Sequence, residues 1–252
     1  MPYVHPQVDR IEGHTAWDLG CAVDALRSPG TTTVTAQPKK LPWLDKPVGA
    51  IRSDFVRIFR CGYTSILRVN PEPTPEVQRA LAALPGNTAI KTEHFLAIPE
   101  LSVRPYIPDS IFYLDPQRFH AVPNQDIRPL NGDDRAVMDN LHSAIDPKQR
   151  WFVDLHHPFV VGCFVDEQLV AVASHFLFDD HRIAEAGVLT HPTCRRRGYG
   201  KAVVSAAVRW GLDRDWVIKW STCDSNMASV RLTESLGFVR FAQETDLRIS
   251  AT

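Results

Sequence analysis

The chain has 252 residues, 44% of them hydrophobic and 23% charged, a balance that suits a globular protein of one large domain or two ordinary ones. A formal net charge of −1 gives no overall field toward nucleic acid or anionic lipid, so neither is expected as a partner and any anion site must be local. Five cysteines (Cys21, Cys61, Cys163, Cys194 and Cys223) are scattered without metal-ligand spacing, so reduced thiols and no metal site are expected.

The opening, MPYVHPQVDRIEGH, lacks the apolar core of a signal peptide. No later run approaches the roughly 18 apolar residues of a membrane span, and a cytoplasmic protein is expected. Of 19 prolines only Pro129, Pro147, Pro158 and Pro192 lie beyond Pro123, so turns and short extended pieces should fill the first half. PEPTPE at 71–76 predicts a turn opening a helix through VQRALAAL, with Pro75 near its first position and Gly86-Asn87 as its stop. TAIKTEHFLAI (88–98) and SIFYLD (110–115) read as strand-like runs. No chemical motif precedes residue 120, and residues 1–122 are expected to form a separate N-terminal α/β domain.

The second half shows a clearer order. DIRPL (126–130) predicts a short strand, and DDRAVMDNL (133–141) a helix whose acidic start suits its positive end. The pattern also allows a helix near 147–156. FVVGCFVDEQLVAVASHFLF (159–178) predicts a hairpin turning at Asp166-Glu167-Gln168. Asp179-Asp180-His181 then makes a turn into the strand RIAEAGVLT (182–190). A helix should run from Gly198 to Leu212, with Val204, Ala207, Val208 and Gly211 at helical spacing. The strand WVIKWST (216–222), the helix NMASVRLTESLG (226–237) ended by Gly237, and a β-rich segment from Phe238 to Ile249 complete the order. It implies a mixed sheet flanked by helices, an α+β architecture over residues 126–250.

The chemistry concentrates in THPTCRRRGYGKAVV (190–204), where three arginines and two glycines stand between a strand and a helix. Main-chain N–H groups at a helix start have no partner within the helix, and the aligned peptide dipoles make that end positive. Glycines at 198 and 200 would let an anion approach the backbone. An exposed basic turn with no ligand would leave the same pattern. The P-loop and dinucleotide glycine fingerprints are both absent.

LTHPTCRRRGYGKAVV resembles the acetyl-CoA signature of the GNAT superfamily, [RQ]-x-x-G-x-[GA] opening a helix after a strand. NMASVRLTESLGF resembles that family's second signature and DIRPLNGDD its common opening, in the expected order over about 126–250. The resemblance implies a mainly antiparallel GNAT-like sheet and an N-acetyltransferase with acetyl-CoA as donor. The main chain of Val188, Leu189 and Thr190 would pair with the pantetheine arm as an added strand. Amides across Arg196, Arg197, Gly198, Tyr199, Gly200 and Lys201 would cradle the pyrophosphate, with Arg195 organising the loop. Asn226 and Ser229 would lie beside the thiol end, and an N–H near Leu189 would stabilise the oxyanion. No R-x-x-G-x-G occurs before residue 120, so one CoA per chain is expected. The first half is then either a degenerate GNAT-like copy or an unrelated lid or partner-binding domain.

Direct attack of an amine on a thioester needs a base, and the resemblance implies Glu185, on the strand before the cofactor loop. Strand alternation puts Glu185, Gly187 and Leu189 on one face if no bulge intervenes. His175 and His181 are alternative bases, and Cys223 reads as a small buried thiol. Many relatives carry a tyrosine acid seven residues after the signature Asn; here that position is Thr233, whose aliphatic hydroxyl could bond the sulfur or hold a water. Trp151, Asp154 and His156 would contact the acceptor. That acceptor is a small-molecule or peptide amine, and the protein a monomer or homodimer. A CoA-binding sensor or regulatory module without chemistry, or a transferase for another acyl donor, would carry the same signatures.

Overall fold

The computed structural model describes residues 4–38, 50–86, 88–123, 126–178 and 181–252, the side chain of Trp151 excepted. The first half contains helices α1 (Val8–Leu19) and α2 (Val23–Arg27), strands β1 (Gly30–Thr35), β2 (Phe55–Cys61) and β3 (Thr64–Val69), helices α3 (Pro75–Ala82) and α4 (Thr92–Leu96), and strands β4 (Leu101–Pro105) and β5 (Asp109–Leu114). Then follow β6 (Ile127–Pro129), α5 (Arg135–Ser143), β7 (Phe159–Val165), β8 (Gln168–Phe178), β9 (Ile183–Thr190), α6 (Tyr199–Leu212), β10 (Val217–Cys223), α7 (Met227–Leu236) and β11 (Phe238–Ala251). These elements form two compact units. One comprises Met1–Gln7, Phe112–Trp220 and Ala228–Val239, the other Val8–Ile111, Ser221–Met227 and Arg240–Thr252. The segments 221–227 and 240–252 thus group with 8–111.

In the second of these units the strand order is β1-β3-β2-β11, with β4 also pairing β11. Helix α3 starts as its sequence predicts: Thr74 accepts a hydrogen bond from the Val77 N–H at 3.4 Å, with Pro75 in the first turn. It ends at Ala82, before Gly86, and Asn87 lies outside the described residues. TAIKTEHFLAI is not a strand. The Lys91 N–H donates to His94 Nδ1 at 2.9 Å, which closes the first turn of α4 and seats Phe95 in a core with Val56, Leu67 and Val77.

The first unit holds the sheet β5-β10-β9-β8-β7-β6. Strands β6 to β9 are antiparallel and β10 is parallel to β9. The β7–β8 hairpin turns on two residues, Asp166 (φ 48°) and Glu167 (φ 64°), both left-handed as a tight turn with the strands' own twist requires. Helix α6 covers one face: Val203, Val204, Ala207 and Val208 pack on Ala171, Ala173, Ala184 and Ala186. Helix α5 covers the other, with Met138 and Leu141 against Val172 and Leu189. Burying each such valine or leucine contributes about 1.5–3 kcal/mol. The region 147–156 is not a helix; it holds one short turn, Arg150–Phe152, and then an irregular segment. Asp179 and Asp180 lie outside the described residues.

Candidate active site

Strand β9 pairs with β8 without interruption from Ala171↔Thr190 to Phe178↔Ile183. With β10 it pairs only from Val217↔Ile183 to Lys219↔Glu185. Beyond Glu185 the two strands part, and the main chain of Val188, Leu189 and Thr190 has no β10 partner on that side. The fork opens toward the basic loop. After the turn Pro192–Cys194, Arg196 (φ 62°) and Gly198 (φ 88°) both take left-handed conformations. Arg195 Nε donates to the Thr190 carbonyl at 3.4 Å, tying the loop to the strand end. Helix α6 has no side-chain cap; Ala202 N–H donates to the Gly198 carbonyl at 3.0 Å. The amides of Gly198, Tyr199, Gly200 and Lys201 meet no main-chain acceptor among the described residues, as expected of an uncapped helix start. The two glycines act differently. A β-carbon at Gly198 would meet nothing within 4 Å, so its backbone angle is what calls for glycine. At Gly200 it would stand 2.9 Å from Thr190 Oγ1, so this glycine seats the helix against β9 rather than admitting an anion.

Alternation holds through β9, which carries no bulge against β8. Glu185, Gly187 and Leu189 therefore share the α5 face, while Ala184, Ala186 and Val188 face α6. Glu185 Oε2 is 3.1 Å from Lys219 Nζ, with 23% and 12% of the two side chains exposed. Across β8 the direct neighbours of Glu185 and Gly187 are Phe176 and Ser174. A β-carbon at Gly187 would collide with the Phe152 carbonyl oxygen, so only glycine lets the 150–157 segment lie on the strand.

That segment brings in a residue not singled out in the sequence. His157 Nδ1 lies 3.3 Å from the Asp154 N–H that donates to it and 2.7 Å from Ser174 Oγ. Its ring centroid is 4.0 Å from that of Phe176. Burial pushes the imidazole down to about 4, against a smaller opposing effect of Asp154. His156, by contrast, is 84% exposed, and its N–H donates to Asp154 Oδ1 at 3.0 Å. Asp154 thus shapes the turn, and the Trp151 side chain lies outside the described residues. The His156-His157 dipeptide was the available signal, but which ring faces inward depends on Ser174, seventeen residues away.

Other candidates sit elsewhere. Thr233 is fully buried and its hydroxyl donates to the Val230 carbonyl of its own helix at 2.7 Å, so its proton does not point toward a thiol. Ser229 Oγ accepts from Trp220 Nε1 at 2.9 Å. Asn226 is exposed just ahead of α7, its N–H donating to the Cys223 carbonyl at 2.8 Å. His175 is no base: it faces α6, donates from Nε2 to the Ala207 carbonyl at 2.8 Å, and burial pushes it down to about 4. His181 is half-buried, and Cys223 Sγ lies 3.1 Å from Ser225 Oγ. Cys223 is only partly buried, and none of the five cysteines is in a disulfide. Among the described residues no group of three or more His, Cys, Asp or Glu is placed to hold a metal ion. No helix among them is long and apolar enough to cross a membrane.

Residues 125–238 match the model of the Acetyltransferase (GNAT) family. This segment belongs to that family, and the chain is an acyltransferase with the mixed, mainly antiparallel GNAT fold. No curated protein matches the chain in sequence. Among solved structures, a GNAT-family acetyltransferase from Colwellia psychrerythraea is similar at 13% identity, over 73% of this chain and 76% of that one, with a TM-score of 0.53. A GNAT-family protein from Novosphingobium aromaticivorans is 24% identical over 61% of this chain and 69% of its own, with a TM-score of 0.47. An aminoglycoside N-acetyltransferase, AAC(6')-Iy, in complex with CoA is 22% identical over 45% of this chain and 91% of its own, with a TM-score of 0.37.

Proposed function

We propose that the chain transfers the acetyl group of acetyl-CoA to a primary amine, of a small molecule or a peptide, by direct attack and in the cytoplasm. One observation supports this most: the β9–β10 fork opens onto a loop whose amides from Gly198 to Lys201 have no main-chain acceptor. The main chain of Val188, Leu189 and Thr190 would hold the pantetheine arm in the fork, with the loop amides and Arg195 at the pyrophosphate. The open space around Gly198 fits such a ligand. Acetyl-CoA supplies an acyl group activated as a thioester. Glu185, 3.1 Å from Lys219, takes the amine proton directly or through one water. The Leu189 amide, on the unpaired stretch, donates to the carbonyl oxygen as negative charge develops there. With the Thr233 hydroxyl committed to Val230, the thiolate departs without a proton from this helix position.

The test is thiol release from acetyl-CoA in the presence of a panel of amines. Amine-stimulated release supports the reading. Binding of acetyl-CoA with no release in any amine would instead make the chain a CoA-binding regulatory module. A preference for longer acyl chains would replace the acetyl donor.

A further inference from the structure

We propose that His157 is a specificity-determining residue of the acceptor site: its Nε2–H donates to a carbonyl or hydroxyl oxygen carried beside the reactive amine. The inference rests on the acyl-transfer reading above and narrows its substrate class to amines with a neighbouring oxygen.

The argument starts from the tautomer. A main-chain N–H can only donate, and that of Asp154 is directed at His157 Nδ1 from 3.3 Å. Nδ1 is therefore unprotonated, its single lone pair shared between the Asp154 N–H and the Ser174 hydroxyl 2.7 Å away, and the ring proton sits on Nε2. Ser174 is fully buried in the middle of β8, so the ring is held by two donors that do not move. The shift of the imidazole down to about 4 keeps it neutral at physiological pH. With Nδ1 occupied and Nε2 protonated, the ring cannot act as a base; what it offers is one N–H. Among the described residues Nε2 has no hydrogen-bond partner.

Position gives the donor its use. Ser174 is directly opposite Gly187, and Phe176, on which the ring packs, is directly opposite Glu185. His157 and the proposed base thus stand on one face of the sheet, one pair of residues apart along β9. A half-buried donor left unmatched costs free energy, so an acceptor lacking an oxygen is penalised at this point.

Histidine-labelled full-length protein provides a test that does not need turnover. The resonance lost in His157→Gln is assigned to His157, and its nitrogen shifts give the tautomer. Ethanolamine is then compared with propylamine, and alaninamide with its isopropyl isostere. We expect Nε2–H in the unliganded protein and a shift at Nε2 only with the oxygen-bearing member of each pair. In turnover the oxygen-bearing amines should lead by tenfold or more in kcat/KM. His157→Phe should erase that lead, His157→Gln should keep part of it, and acetyl-CoA affinity should be unmoved in both. An Nδ1–H tautomer, equal shifts within each pair, or a preference that survives His157→Phe would overturn the proposal. If no amine releases thiol, the transfer reading falls, while the resonance shifts still decide whether His157 reads an oxygen.

Discussion

Lys219 Nζ and Glu185 Oε2 meet at 3.1 Å on the last rung where β10 pairs with β9. The ion pair therefore marks the apex of the fork and holds the proposed base in place. Glu185→Gln should lower kcat by about 10²–10⁴-fold at unchanged acetyl-CoA affinity. A wild-type rate across the pH range would remove Glu185 from the mechanism. Lys219→Met strands a partly buried carboxylate and should cost about 1–3 kcal/mol in urea unfolding, part of which the double variant with Glu185→Gln recovers.

Gly198→Glu places a carboxylate where amides face outward and forces a left-handed residue other than glycine, at about 1–2 kcal/mol in stability. Calorimetric titration should show acetyl-CoA binding lost with the fold retained. Undiminished affinity would mean that the loop is not the anion site.

Gly187→Ala drives a methyl group into the Phe152 carbonyl. The 150–157 segment should lift, costing about 1–3 kcal/mol. Steady-state kinetics should show a raised KM for the amine and little change for acetyl-CoA. Equal effects on both substrates would show that this segment does not line the acceptor site alone.

Thr233→Val keeps the shape and removes the hydroxyl that bonds Val230. Turnover should stay within about threefold of wild type, because the lost hydrogen bond is worth only about 1 kcal/mol and lies within the helix. A hundredfold fall in kcat would show that the Thr233 hydroxyl bonds the sulfur or holds a water there.

Acid should destabilise the fold through its buried imidazoles. His157 and His175 are pushed down to about 4 from an ordinary 6.5. The unfolded chain takes up protons near pH 6.5 that the folded chain refuses until near pH 4, so stability is full above pH 6.5 and falls below it. For His175, fully buried, the loss is on the order of 3 kcal/mol. Thermal melts from pH 7 to 4.5 should show the decline, and His175→Phe should flatten it.

The sequence was most legible where local signals were strong. Two β-rich runs about a polar turn gave β7 and β8, the glycine-bounded apolar period gave α6 and α7, and Pro75 gave the start of α3. It misled where a short apolar run had two readings. KTEHFL looked extended, yet the His94 side chain closes a turn on Lys91. The region 147–156 allows a helix on its sequence, yet Phe152 is placed against Gly187, 35 residues away. Strands β1 and β2 carry a local signal of their own, since GTTTVT and FVRIFRC are rich in β-branched and aromatic residues. In the proposed site, the loop was marked by its motif and Glu185 by the family resemblance. His157 and Lys219 carried no such mark, since each acquires meaning only from a partner on another strand.

A strand left half-zipped inside a sheet is chemically the same object as an outer edge strand. Its unpaired peptide groups would take an extended polypeptide, another copy of the protein included, in place of the proposed coenzyme arm. Preparations stripped of coenzyme should therefore be the ones that clump on storage. Adding the coenzyme early in purification would act as a protective plug as well as a reagent.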